Sequence, residues 1–166
     1  DVYKRQMYAY KVYNNFKIYR PLADKYTKWR NNLTENDIQG FKQLPKTGDI
    51  LIITKSMKDV MCLYEMGIPA ISPSSESTFI PQKALDQLKK RFKTILICFD
   101  RDEAGCKYLR KISLKTGLKP FLVHKKWKAK DISDAIKANS FESIKLWIYE
   151  EIEKEKRRQG TECNSK

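Results

Sequence analysis

The residues best equipped for chemistry are Asp100-Arg101-Asp102-Glu103-Ala104-Gly105, directly behind the apolar run Thr94-Ile95-Leu96-Ile97-Cys98-Phe99. A short apolar run rich in β-branched residues and closed by charge predicts a buried parallel strand. Strand side chains repeat with period two, so Asp100 and Asp102 leave the sheet pointing the same way. Two carboxylates at the carboxyl end of such a strand can hold a hard divalent cation together with phosphate oxygens. Two more acids fit the same place. Asp59 lies in the first turn of the helix that follows the apolar run 50–54, and Asp131, preceded by Lys130, opens a short helix after 121–124. An acidic residue at a helix start also complements the helix dipole, and capping alone suffices for Asp131 and Asp134 taken by themselves. It accounts less easily for Asp59, Asp100, Asp102 and Asp131 together, all at carboxyl ends of predicted parallel strands, where ligands bind in such sheets.

The elements that must position these acids alternate strand and helix from Asp49 onward. Strands are predicted at 50–54, 69–72, 94–99 and 121–124. Helices are predicted after Ser56 and ending near Gly67, from Pro81 to about Phe92, over 103–116 with Gly117 as its stop, over 131–138, and over 140–159. Alternation with these lengths implies an α/β, mostly parallel, doubly wound sheet. Ahead of it, Tyr8–Tyr13 and Phe16–Tyr19 flank Asn14-Asn15, which predicts a β-hairpin. The expected units are a basic, aromatic N-terminal subdomain over 7–46, an α/β domain over 47–139, and a C-terminal helix with a frayed tail over 140–166. Asp1-Val-Tyr-Lys-Arg-Gln6 matches what a transposon-end sequencing adapter gives when translated in one frame. These residues are therefore set aside as an artefact, with upstream domains expected to be missing.

A formal charge of +14, from 34 Lys and Arg against 20 Asp and Glu, favours a polyanionic partner. Between residues 7 and 30, Lys11, Lys17, Arg20, Lys25, Lys28 and Arg30 interleave with Tyr8, Tyr10, Tyr13, Tyr19, Tyr26 and Trp29. Cations track a phosphate backbone while aromatic faces stack unpaired bases, so this pattern suits single-stranded nucleic acid. Packing of the hairpin against the sheet is the competing use of about half of these aromatics. Lys125, Lys126, Lys128 and Lys130 around Trp127 steer phosphates in the same way or form a solvated loop. The expected nucleic-acid contacts are Lys17, Arg20, Lys28, Trp29, Arg30, Lys58, Arg101, Lys126, Lys128 and Lys130. The four cysteines share no CxxC spacing and His124 is the only histidine, which argues against zinc. No apolar run approaches membrane-spanning length, and no signal peptide is visible.

Residues 50–138 resemble a Toprim domain, the metal-binding Rossmann-like fold of bacterial-type primases, topoisomerases and some nucleases. The resemblance rests on the first strand, the helix carrying Asp59, then "ILICFDRDEAG", then "KAKDISDAI". This order is similar to Toprim domains of phage primases and primase-helicases, and "FKIYRPLADKYTKWRNN" looks like the region that precedes Toprim there. The resemblance implies a four-stranded sheet and Mg²⁺ or Mn²⁺ held by Asp100 and Asp102, with Asp59 and Asp131 completing the acidic pocket. It implies Asp59, Asp100 and Asp102 as catalytic residues of primer synthesis on single-stranded DNA from nucleoside triphosphates. A replicative helicase as partner and the cytoplasm of a bacterium or phage-infected cell are implied with it.

One position departs from the family. A Glu usually follows the first strand four residues before the equivalent of Asp59, and this chain has Lys55. Either Lys55 contacts triphosphate or template while Glu76 supplies the missing carboxylate, or the domain only binds nucleic acid. A Toprim nuclease using the same carboxylates for hydrolysis is the remaining alternative.

Overall fold

A computed structural model describes residues 6–75 and 77–163. The adapter-like residues 1–5, the expected carboxylate Glu76 and the last three residues of the expected tail lie outside them.

Four parallel strands, β4 (Gly48–Ile53), β5 (Ala70–Ile71), β6 (Phe92–Cys98) and β7 (Lys119–Phe121), form a sheet in the order β5-β4-β6-β7. The central pair is apolar on both faces. Ile52, Leu96 and Cys98 join one buried cluster, whereas Leu51, Ile53, Ile95 and Ile97 join another. Period-two alternation within a continuous apolar run means that both faces are covered. Helices α1 (Met57–Glu65), α4 (Ile132–Ala138) and α5 (Phe141–Cys163) close the first face through Leu63, Ile132, Ile144, Trp147 and Ile148. Helices α2 (Gln82–Arg91) and α3 (Glu103–Thr116) close the second through Leu85, Leu88, Leu109 and Ile112. The expected mostly parallel, doubly wound α/β fold is the one observed.

The strand order matters for function. The chain leaves β4 towards β5 on one side and returns to β6 on the other, so the connections diverge between β4 and β6. The crevice outside the carboxyl ends of those two strands is where open α/β sheets bind ligands. Lys55 follows β4 and Asp100 follows β6, on either side of that crevice.

The N-terminal residues form a separate antiparallel sheet of β1 (Tyr8–Val12), β2 (Asn15–Tyr19) and β3 (Trp29–Asn31), the last not foreseen. The hairpin turn is Tyr13-Asn14 rather than Asn14-Asn15, because Val12 pairs with Asn15. That register buries Val12 on the same face as Tyr8 and Tyr10, and a one-residue slip would turn it to solvent. Tyr13 accepts a φ of 55° to make the turn, with the Lys42 ammonium 4.8 Å from its ring centre.

The two sheets are tied together. Asn15 Nδ2 donates to Asp37 Oδ2 at 2.9 Å, Lys17 Nζ donates to the Ser74 carbonyl at 3.2 Å, and Gln39 forms an antiparallel bridge with Ser72. Ile38 is buried with the second cluster of the parallel sheet, so packing crosses into the 7–46 segment. Helix α5 runs to Cys163, beyond the expected end at 159. Among the described residues no helix is long and apolar enough to cross a membrane.

Candidate active site

Helix α1 is capped by Ser56, whose Oγ accepts from the Asp59 backbone N–H and donates to Asp59 Oδ2 at 2.9 Å. Asp59 Oδ1 accepts from the Ser133 backbone N–H, also at 2.9 Å, at the start of α4. Only 3% of Asp59 is exposed. Burial raises its carboxyl to a pKa of about 6, the Asp131 carboxylate adds to this, the Ser133 and Ser56 hydrogen bonds pull the other way, and Asp100 pushes it up further. Asp59 therefore braces α1 against α4 with both of its oxygens engaged.

Asp102 caps α3, its Oδ1 accepting from the Gly105 N–H at 2.7 Å. Asp131 caps α4, its Oδ1 accepting from the Asp134 N–H at 2.7 Å and from Ser133 Oγ at 2.9 Å. In each case Oδ1 does the capping. Asp100 is half-buried and accepts no hydrogen bond among the described residues. Burial raises its pKa. The Lys55 ammonium opposes that shift, Asp131 reinforces it, Lys130 opposes it, and Asp102 adds a smaller push upward. The four carboxylates thus share one electrostatic environment, with Lys55 and Lys130 beside it.

Gly105 is the residue that makes this geometry possible. A Cβ there would lie 2.1 Å from the Asp100 carbonyl oxygen and 3.1 Å from Asp102 Oδ1. The glycine of the acidic motif therefore lets the first turn of α3 press against the backbone that carries Asp100.

Arg101 donates its guanidinium to the Val123 carbonyl, and its backbone N–H to the Lys130 carbonyl at 2.7 Å. Its guanidinium thus ties the ends of β6 and β7 together. The backbone bond to Lys130 brings Lys130 and Asp131 up to Asp100.

The other expected nucleic-acid contacts fall in two places. Tyr8, Tyr19 and Trp29 are cross-strand partners in one row of the N-terminal sheet, with the Tyr19 and Trp29 rings stacked at 4.4 Å. Lys17 Nζ lies 5.1 Å from the centre of the Trp29 ring, and Lys28 Nζ lies 5.6 Å from that of Tyr19. Arg20 is partly buried just past β2 and Arg30 is exposed on β3, while Lys58 is exposed on the first turn of α1. Lys126 and Lys128 are exposed around a 3₁₀ turn, Lys125–Trp127, with Lys126 Nζ 4.5 Å from the centre of the Trp127 ring. Trp127 itself packs beside Trp147, with ring centres 6.0 Å apart.

Among the described residues no group of three or more His, Cys, Asp and Glu stands close enough to hold a metal ion by itself. The donor set still suits a hard cation. Mg²⁺ is usually bound through one or two carboxylates, with phosphate and water oxygens completing its octahedron. Asp100 and the second oxygen of Asp102 are the groups that would serve. Ser133 and Gln39 carried no signal in the sequence, because their roles depend on contacts across the fold.

Residues 52–136, just over half the chain, match the Toprim_2 family, described as Toprim-like. The chain belongs to that family. Its fold is that of primase catalytic domains. A DnaG primase catalytic domain bound to single-stranded DNA superposes with a TM-score of 0.64 at 16% identity, covering 89% of this chain and 51% of that one. The structure of bacteriophage T7 lagging-strand DNA polymerase interacting with primase domains of two gp4 subunits bound to an RNA/DNA hybrid and dTTP gives 0.59 at 18% identity. Coverage there is 89% of this chain and 76% of the other. The E. coli primase catalytic core gives 0.58 at 17% identity, covering 80% and 47%. The chain thus spans about half the length of the DnaG domain it matches. No curated protein sequence matches it.

Proposed function

We propose that this chain is the catalytic region of a DNA primase, making short RNA primers on single-stranded DNA from nucleoside triphosphates with Mg²⁺ or Mn²⁺. The observation that carries this reading is the gathering of Asp59, Asp100, Asp102 and Asp131 at the divergence of β4 and β6 in a Toprim-like chain. A bound divalent cation would neutralise phosphate charge and lower the pKa of an attacking hydroxyl. Asp100 and Asp102 would hold the cation. Asp131 adds charge to the pocket, and Asp59 fixes α4 so that Asp131 stays in place. Lys55 holds triphosphate oxygens, and Glu76 is the candidate replacement for the family Glu. The aromatic row of the N-terminal sheet and the loop lysines guide template, and a replicative helicase is the expected companion.

The test is primer synthesis on single-stranded DNA with all four NTPs and Mg²⁺. Asp100→Ala and Asp102→Ala are each expected to abolish product with an unchanged circular dichroism spectrum. Synthesis retained in either variant would remove the site. Labelled DNA incubated with and without NTPs separates synthesis from hydrolysis by a Toprim nuclease.

Lys55 favours a second reading, in which the domain binds nucleic acid without catalysis. Lys55→Glu decides between them. Activity gained on substitution indicates a decayed site, and activity lost assigns Lys55 a role.

A further inference from the structure

The face of the N-terminal sheet that carries Tyr10, Lys17, Trp29 and Asn31 does not open to bulk solvent everywhere. Together with Gln39, Ser75 and the segment Lys55-Ser56-Met57-Lys58 it lines a cleft of about 180 Å³. One wall is aromatic and belongs to the antiparallel sheet. The opposite wall is the start of α1, whose peptide N–H groups add a positive field to the two lysines there. Lys17, Lys55 and Lys58 all line the cleft, and among its described lining residues there is no carboxylate.

Gln39 forms part of the cleft wall and is held firmly there. It is fully buried, and its Nε2 donates to Ser72 Oγ at 3.0 Å and to the Pro73 carbonyl at 2.5 Å. The Pro73 carbonyl can only accept, so it fixes which end of the amide is nitrogen. Among the described residues Oε1 has no partner, and an unpaired buried acceptor in the cleft wall is costly.

We propose that this cleft is a mononucleotide pocket holding a nucleoside triphosphate without a divalent cation, its phosphates on Lys55 and Lys58 and its base against Trp29 and Tyr10. Aromatic faces stack any base, which gives affinity with little sequence preference. Lys17 lies over Trp29 while bonded to the Ser74 carbonyl, so it polarises the stacking platform and keeps it in place. Lys55 stands between this cleft and Asp100, joining the pocket to the carboxylate cluster. A Glu at position 55 would repel phosphate and require a cation to bridge it. A Lys removes that requirement for binding, though not for chemistry. The proposal rests on the primase reading for the class of substrate.

The experiment is titration of the whole chain with ATP in EDTA, followed by calorimetry and tryptophan fluorescence. Saturable binding with quenching is expected. Trp29→Phe should bind ATP with the quenching largely lost, and Lys58→Ala should weaken binding several-fold. Lys55→Glu should weaken it at least tenfold in EDTA and recover when Mg²⁺ is added. Absence of saturable ATP binding in EDTA, or an affinity indifferent to Lys55→Glu and Lys58→Ala alike, would overturn the pocket. An Asp100→Asn, Asp102→Asn double variant separates this result from the activity. It should keep ATP binding in EDTA while losing primer synthesis. Wild-type chain that binds ATP yet makes no primer would refute the primase reading and leave the pocket standing.

Discussion

Asp59 is a carboxylate removed from water, placed beside another carboxylate and still given two hydrogen bonds. Burial wins, and its pKa rises from 3.8 to about 6. The sign of the consequence follows from proton counting. Between those values the folded chain holds a proton that the unfolded chain has released, so unfolding releases protons and stability falls as pH rises through the window. At about 1.4 kcal/mol per pH unit, the charged form costs about 3 kcal/mol at neutral pH. Asp59→Asn retains an acceptor for the Ser133 N–H and offers a donor to Ser56 Oγ. It is expected to raise stability at pH 7.5 by about 1–2 kcal/mol. It should also flatten the stability slope between about pH 4 and 6, where Asp59 titrates. Urea unfolding of both chains at pH 4.5, 6 and 7.5 reads this directly. A variant less stable than wild type at pH 7.5 would show that the hydrogen bonds outweigh the desolvation.

At the scale of elements, the four acids were legible because a strand run, a helix start and a period of two place them without knowledge of the packing. The supports were not. Ser133 meets Asp59 only because α4 packs on α1, 74 residues away in sequence. Strand β3 escaped notice because its three residues are all exposed and show no apolar alternation. Strand β7 pairs at Lys119–Phe121, opposite Leu96 to Cys98 and earlier than the apolar run 121–124. Val123 is nevertheless buried, as the hydropathy pattern requires. The glycine of the acidic motif was visible, but its purpose was not. Gly105→Ala would drive a Cβ to 2.1 Å from the Asp100 carbonyl, a contact that only backbone movement relieves. A loss of about 2 kcal/mol or more in chemical denaturation is expected. Because the same movement displaces Asp100 and uncouples the Asp102 cap, primer synthesis should fall more steeply than stability. Unchanged stability with full activity would show that the loop has more room than these distances indicate.

Across the whole molecule, two sheets of different character face one crevice. The parallel sheet is buried on both sides, whereas the antiparallel sheet buries little beyond Val12 and depends on a few polar ties for its placement. Lys11 and Arg30 are exposed on it and Lys28 is partly buried beside it, and a net charge of +14 does not by itself say which cations meet phosphate. Salt dependence locates them. For a single strand, log K falls with log salt at roughly 0.7 per phosphate neutralised. If Lys28 and Arg30 each neutralise one phosphate, the double variant Lys28→Ala, Arg30→Ala should lower the magnitude of that slope by about 1.4. The equally charged double variant Arg110→Ala, Lys111→Ala, on exposed positions of α3, should leave the slope unchanged while altering net charge by the same amount. Fluorescence anisotropy with a labelled oligonucleotide at four salt concentrations distinguishes the two. Equal effects from both pairs would mean that DNA responds to the overall charge of the molecule, and the N-terminal sheet would lose its assignment as the template surface.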